Sequence, residues 1–219
     1  MDLASLTRRL AAIETSHLAD ANKAIRLMDT GLRPQRLGYK LIGRAFTLIC
    51  REDFMTVMVA LKEAQPGDVL VIDTRGSRRA VLGELFSLEA QRRGLAGIVV
   101  DGPVRDTVTL RQLEIPIYAR SATPLAGTIQ QVFPVQQPVQ CGGVTVNPGD
   151  IVFGDEDGII VASMDELETL LPLAEQIDAR ERAVIARLQG GEGLLSMLNF
   201  EEHRANLEAG RDSALRFLI

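Results

Sequence analysis

Between residues 67 and 119 the sequence holds three short apolar runs, at 68–73 (DVLVID), 96–101 (AGIVVD) and 116–119 (PIYA). Residues 80–93 and 107–113, which separate them, have helical spacing. Each run is the length of a buried strand, so the segment reads β-α-β-α-β. Strands joined through helices run parallel with right-handed crossovers. That alternation constrains the chain more than any other feature, because it demands an α/β architecture built around a parallel sheet.

The flanking segments extend this reading. Residues 2–29 are spaced as helix, with Leu6, Leu10, Ile13 and Leu18 on one face, and residues 41–50 read as a strand. Residues 53–64 read as a helix ended by Pro66-Gly67, and Gly94 is placed to cap the helix at 80–93. From 127 to 162 short β runs alternate with Gly, Pro and Asp turns, which predicts a β-rich layer. Ser163-Met164-Asp165-Glu166 is a capping box that opens a long helix, with Pro172 marking a restart or a kink. Gly190-Gly191-Glu192-Gly193 breaks it, and a helical tail follows from Asn199. No linker or repeat divides the chain. The reading is one domain over 1–219, with a core at about 15–162 and a C-terminal helical extension at about 163–219.

Composition narrows the chemistry. The net charge is −5, Trp is absent and aromatic residues make up 4%, with no run of Lys and Arg, which argues against a nucleic-acid groove. Cys50 and Cys141 form no CxxC pair and read as reduced thiols. No apolar segment approaches the ~18 residues of a membrane span, and the first residues lack the apolar core of a signal peptide, so the expected location is cytoplasmic. The two histidines, His17 and His203, lie far apart in helical context, which disfavours a zinc site or a Ser-His-Asp triad. No dinucleotide fingerprint and no P-loop occurs.

In open α/β sheets ligands sit beyond the carboxyl ends of the strands. Two loops meet that condition, 73–79 after DVLVID and 101–106 after GIVV, where the strand is expected to stop at Asp101-Gly102-Pro103. Arg105 can hold a carboxylate through two parallel hydrogen bonds, or serve as a surface arginine. Asp106 is a hard oxygen ligand for Mg²⁺, which binds few protein groups and keeps its waters, or simply the N-cap of the helix at Thr107. Arg75, Arg78 and Arg79 make a basic loop. Gly83 inside a helical pattern costs ~1 kcal/mol against Ala, which argues that the helix starts there. Glu84 then falls in its first turn, and the free N–H groups of Leu85 and Phe86 can bind an anion.

The stretch GELFSLEAQRRGLAGIVVDGPVRD, with Glu84 followed by twenty residues and then Arg105-Asp106, resembles the class II pyruvate aldolases. These cleave 4-hydroxy-4-methyl-2-oxoglutarate and 4-carboxy-4-hydroxy-2-oxoadipate, and their superfamily includes the regulator of ribonuclease E activity A. Gly43-Arg44-Ala45-Phe46-Thr47, Pro66-Gly67-Asp68-Val69-Leu70, Gly142-Gly143-Val144 and Pro148-Gly149-Asp150 agree, and the resemblance covers about 15–190. It implies a three-layer β/β/α swivelling-domain fold and a homotrimer or homohexamer with sites between subunits. By resemblance, Asp106 ligates Mg²⁺ or Mn²⁺ and Glu84, where many members carry Asp, holds water on that ion. Arg105 contacts the keto oxygen, and the N–H groups of Leu85 and Phe86 bind the substrate carboxylate. A glutamate from a neighbouring subunit's C-terminal helix completes the site; Glu181 matches best and Glu175 less well. The implied reaction is retro-aldol cleavage of a 4-hydroxy-2-oxo di- or tricarboxylate to pyruvate, with oxaloacetate decarboxylation beside it. The basic loop 75–79 agrees with such an acidic substrate. The alternatives are a lyase on a different 2-oxo acid and a non-catalytic regulator that binds an RNA-degrading endonuclease.

Overall fold

A computed structural model describes residues 2–218; Met1 and Ile219, the ends of the single-domain reading, lie outside the described residues. Two short helices come first, α1 (Leu3–Ala11) and α2 (Thr15–Ala21), followed by the two-residue strands β1 (Arg26–Leu27) and β2 (Arg33–Pro34). The alternating core is β3 (Leu41–Ile49), α3 (Met55–Glu63), β4 (Asp68–Asp73), α4 (Glu84–Arg92), β5 (Gly97–Val104), α5 (Thr107–Leu110) and β6 (Ile117–Ala122). After it come β7 (Val139–Cys141), β8 (Val144–Val146), β9 (Ile151–Gly154) and β10 (Ile159–Ala162). The long α6 (Met164–Gln189), a 3-10 turn at Leu194–Met197 and α7 (Phe200–Glu208) close the chain.

Eight strands form one sheet in the order β1-β10-β9-β3-β4-β5-β6-β2, and β7 pairs with β8 in a separate hairpin. The β4-β5 and β5-β6 pairs are parallel, as the β-α-β-α-β pattern demanded, the β3-β4 pair is parallel as well, and the remaining pairs in the sheet are antiparallel. Strict alternation of side chains sorts the sheet into two buried faces. Leu70, Ile72, Ile98, Val100 and Ile117 pack with Val57, Ala60 and Ala90 of α3 and α4. Val69, Val71, Val99 and Tyr118 face the other way, onto Val139, Cys141 and Val146 of the hairpin. The layers are therefore hairpin, sheet and helices, a mixed α/β architecture in line with the β/β/α reading. Leu6, Leu10, Ile13 and Leu18 do share one cluster, with Leu167, Leu171 and Ala174 of α6 and Phe153 and Ile160 of the sheet.

Several sequence expectations are corrected. The helical reading of 2–29 breaks after Ala11, and the chain enters the sheet edge at Arg26. The segment 127–162 is not one β layer: only β7 and β8 leave the main sheet, because β9 and β10 carry apolar residues on both faces and need covering from both sides. The helix at 80–93 begins only at Glu84. Strand β5 does not stop at Asp101; it runs on to Val104 through a register shift between Val100 and Pro103. Such a bulge inserts a residue and re-aims the side chains beyond it. At Pro172 the helix α6 neither stops nor restarts, since buried Leu167, Leu171 and Ala174 hold it across the missing N–H. Its capping box is present as expected, with Glu166 N–H donating to Ser163 Oγ at 3.2 Å and Ser163 N–H to Glu166 at 2.6 Å.

Asp53 anchors the irregular segment after β6. Its buried carboxylate accepts from Thr128 Oγ1 at 2.6 Å and from the N–H groups of Gln130, Gln131 and Met55 at 2.6, 3.2 and 2.9 Å. Burial alone would raise its pKa, but these four donors outweigh burial and hold it below the ordinary carboxylate value. Its stabilising contribution is therefore complete above the unfolded-state value near about pH 4 and is lost as pH falls through the lower folded value. Asp53→Ala is expected to cost on the order of 2–3 kcal/mol at pH 7. Thermal melts of both proteins at pH 7 and at acid pH check this: the gap should narrow on acidification, and an unchanged gap would rule out the charge as its source.

Candidate active site

Parallel pairing puts Asp73 of β4 directly beside Asp101 of β5, so the loops after both strands open on one edge of the sheet. From that edge three segments are laced together. Arg105 N–H donates to Leu82 O at 3.0 Å, Thr123 N–H to Val104 O at 2.9 Å, and Ala80 N–H to Leu125 O at 2.8 Å. The start of α4, the end of β5 and the segment after β6 thus meet at one place.

Asp106 stands at the N-terminal end of α5 in a left-handed backbone conformation, φ 56°, uncommon for a side-chain-bearing residue. It does not cap α5 with its side chain. Its Oδ2 instead accepts the N–H of Glu84 at 3.1 Å and faces Arg105 Nε at 3.3 Å, while Oδ1 accepts no hydrogen bond among the described residues. The capping reading was therefore right in kind and wrong in helix, because the side chain reaches α4, not α5. Glu84 Oε2 accepts from Thr109 Oγ1 at 2.9 Å, which ties it to α5. The N–H groups of Leu85 and Phe86 have no acceptor among the described residues, since the first bond of α4 runs from Ser87 N–H to Gly83 O at 3.2 Å. Of the six positions singled out in the sequence, the structure brings together Glu84, Leu85, Phe86, Arg105 and Asp106.

Glu181 does not join them within the chain. It lies on α6 beyond the β9–β10 side of the sheet, with Oε2 3.1 Å from His17 Nε2, and Glu175 nearby pairs with Arg9 at 2.6 Å. The basic loop also stands apart. Arg75 pairs with Asp73 at 3.1 Å, and Arg79 reaches Ala126 O at 3.2 Å and Glu52 at 3.5 Å. Arg75 and Arg78 line a cleft with Arg51, Glu52 and Gln131 that Arg105 does not share, so the loop gives no geometric support for an acidic substrate at Arg105. Asp101 is structural: it pairs with Arg120 and accepts Gly142 N–H at 2.7 Å, holding the hairpin to the sheet. Both cysteines are buried and free, and burial pushes the Cys50 thiol up to about 12.

Two features were not legible as site residues. Gly83 is required by close approach: a Cβ there would overlap Asp106 Oδ2 and lie 2.9 Å from Arg105 Cγ. Its signal in the sequence was a glycine inside a helical pattern. The second is that Arg105 is a wall between two cavities. One, of about 320 Å³, adjoins Asp106, Thr107 and the 122–124 segment. The other, of about 330 Å³, lies against Gly83, Leu85 and Phe86 and continues between α3 and α4.

The donor set fits a divalent ion of the Mg²⁺ type. Among the described residues no cluster of three or more His, Cys, Asp or Glu is grouped to enclose a metal. The unused Oδ1 of Asp106 is the kind of hard oxygen donor that suits a cation keeping most of its waters, and the Glu84 carboxylate, bound to Thr109, is carried by the residue whose N–H Asp106 accepts.

Known proteins resemble this chain in sequence and in fold. Residues 15–161 match a family model described as RraA-like, Aldolase/RraA. The chain is 34% identical over 178 residues to a protein of Halalkalibacterium halodurans provisionally named a 4-hydroxy-4-methyl-2-oxoglutarate aldolase, covering 78% of this chain and 85% of the relative. It is similar in structure to the RNA-processing inhibitor RraA of Thermus thermophilus, with 34% identity, a TM-score of 0.64 and coverage of 68% and 92% of the two chains. A Streptomyces coelicolor member of the RNase ES inhibitor RraA family superposes with a TM-score of 0.71 at 33% identity, over 84% of this chain and 96% of that one.

Proposed function

This chain belongs to the RraA-like family, and on that premise we propose that it is a divalent-metal-dependent lyase. Its reaction is the retro-aldol cleavage of a 4-hydroxy-2-oxo acid of the 4-hydroxy-4-methyl-2-oxoglutarate type to pyruvate and a second oxo acid. The observation that carries this reading is the convergence of Arg105, Asp106 and the free N–H groups at the start of α4 on one edge of the sheet.

Asp106, with Glu84 beside it, would hold Mg²⁺ or Mn²⁺. The ion supplies Lewis-acid polarisation of the 2-keto oxygen when bound. The N–H groups of Leu85 and Phe86, at the positive end of α4, take the 1-carboxylate. A water held by Glu84, or Glu181 of the partner subunit, removes the proton of the C4 hydroxyl. The C3–C4 bond then breaks, C4 becomes a carbonyl in the departing oxo acid, and the electron pair passes to C3 and the former keto oxygen as an enolate. Arg105 faces that developing charge from a fixed position, its backbone N–H pinned to Leu82 O. Protonation at C3 completes pyruvate. Oxaloacetate gives the same enolate when its C4 carboxylate leaves as CO₂, so decarboxylation accompanies the aldol activity. Assembly as a homotrimer or homohexamer is part of this reading, because Glu181 reaches no site residue within its own chain. Among the described residues no helix is long and apolar enough to cross a membrane.

Pyruvate release tests the proposal. Chelator-treated protein is offered 4-hydroxy-4-methyl-2-oxoglutarate and, separately, oxaloacetate, with and without Mg²⁺ or Mn²⁺. Release should depend on the added metal and fall about 10²–10³-fold in Arg105→Ala. An intact oligomer that releases pyruvate from neither compound would overturn the lyase and favour the binding role that similarity to an RNA-processing inhibitor supports.

A further inference from the structure

The cavity on the α4 side of Arg105 is not explained by cleavage of a methyl-bearing substrate. Its walls are Phe54, Met58, Leu82, Phe86, Ala126 and Ile129, and Arg105 is its one charged lining residue. We propose that the substrate carries at C4, where 4-hydroxy-4-methyl-2-oxoglutarate has its methyl, a larger apolar group of the branched aliphatic or aryl class, seated in this cavity. The inference rests on the retro-aldol reading and specifies its substrate.

Three independent observations carry it. The cavity is continuous with the site, since Gly83, Leu85, Phe86 and Arg105 line it, so a substrate held by Arg105 and α4 has one arm directed there or leaves it filled with water. Its volume of about 330 Å³ lies within the range of small-molecule pockets and far exceeds the space a methyl group fills. Its walls are also held in place. Phe54 and Phe86 meet edge to face with centroids 5.4 Å apart, and buried Asp53 gathers Thr128, Gln130 and Gln131, fixing the strand of chain that carries Ala126 and Ile129.

Charge excludes the acidic alternative. A carboxylate seated against these apolar walls would exchange water for a lining whose one charged residue is Arg105, and Arg105 already serves the oxo-acid head. Of the arginines that first pointed to a polycarboxylate, Arg75 and Arg78 line a different cleft, and Arg79 stands behind the cavity wall, where it donates to Ala126 O at 3.2 Å and pairs with Glu52 without itself lining the cavity. Met58, Leu85 and Ile129 are exposed at the cavity mouth by 45, 67 and 62%, as a binding surface open to a small ligand would be.

Two readouts on the full-length metal-loaded protein separate this inference from the reading beneath it. Exchange of the pyruvate methyl protons in D₂O, followed by NMR, reports enolate formation without any second substrate. Condensation of pyruvate with a series of 2-oxo acids then reports the cavity: pyruvate itself, 4-methyl-2-oxopentanoate, phenylpyruvate and 2-oxoglutarate. The branched and aryl acceptors should exceed pyruvate by about tenfold or more in kcat/KM, with 2-oxoglutarate at or below pyruvate. Met58→Arg should reverse that order. Exchange of the pyruvate methyl protons, together with condensation onto 2-oxoglutarate as fast as or faster than onto the apolar acceptors, would overturn the inference and leave the aldolase standing. A flat acceptor series, together with Met58→Arg sedimenting as a smaller assembly, would assign the face to a second copy of the chain and overturn it too. Absence of exchange would remove the retro-aldol reading, and the inference with it.

Discussion

Asp106→Ala should lower metal-dependent pyruvate release by about 10³-fold or more, the scale of losing a group that fixes charge at the reacting centre. The proposal gives this one carboxylate a second role beside the cap the structure shows, and the two can be separated. Oδ2 caps α4 by accepting the Glu84 N–H, and removing a cap costs about 1 kcal/mol. Oδ1, which accepts no hydrogen bond among the described residues, is the oxygen the proposal assigns to the cation. Asp106→Asn keeps a carbonyl oxygen for the Glu84 N–H and removes the negative charge. Its melting temperature should therefore stay near that of the wild type while its activity falls with that of Asp106→Ala. Calorimetric titration with Mn²⁺ should show weakened binding in both variants. If Asp106→Asn kept wild-type turnover and an unchanged metal response, Asp106 would be a cap and not a ligand.

Gly83→Ala is the second large effect, and it arises from space alone. The backbone at Gly83 is extended, with φ −151°, a conformation any residue adopts, so alanine introduces no backbone strain. The added methyl would instead push on Asp106 Oδ2 and on Arg105 Cγ and Nε. Displacement of a catalytic group by about 1 Å can lower turnover about 10²-fold, and here two such groups move together. The expected result is a folded protein, with a circular dichroism spectrum like that of the wild type, in which kcat falls far more than the melting temperature. Wild-type kcat in Gly83→Ala would show that Arg105 and Asp106 do not occupy their catalytic positions in this arrangement.

Much of the fold was legible because its signals are local. Three apolar runs with helical spacers specify parallel strands, Ser163 and Glu166 specify where α6 begins, and Gly94, at φ 72°, ends α4 as its position announced. The break after Ala11 was hidden because Ile13 and Leu18 keep the apolar spacing across it and fall in the same cluster as Leu6 and Leu10. The departure of β9 and β10 from the expected β layer was hidden because periodicity reports a buried strand without naming the sheet it joins.

The site divides in the same way. That Glu84, Arg105 and Asp106 belong together was written in their spacing and local text, since the strand, turn and helix that deliver them are short-range structures. Which helix Asp106 would cap, that Gly83 must lack a side chain, and that the arginines at 75–79 face a separate cleft depended on contacts between segments far apart in the chain. The apolar cavity beside Arg105 is assembled from α3, α4 and the 124–131 segment, and no stretch of sequence contains it. Chain-local rules determine which elements form and which chemistry they carry. Only the packing of those elements, where two side chains cannot occupy one space and a buried charge must find its partner, decided which surfaces meet and what they enclose.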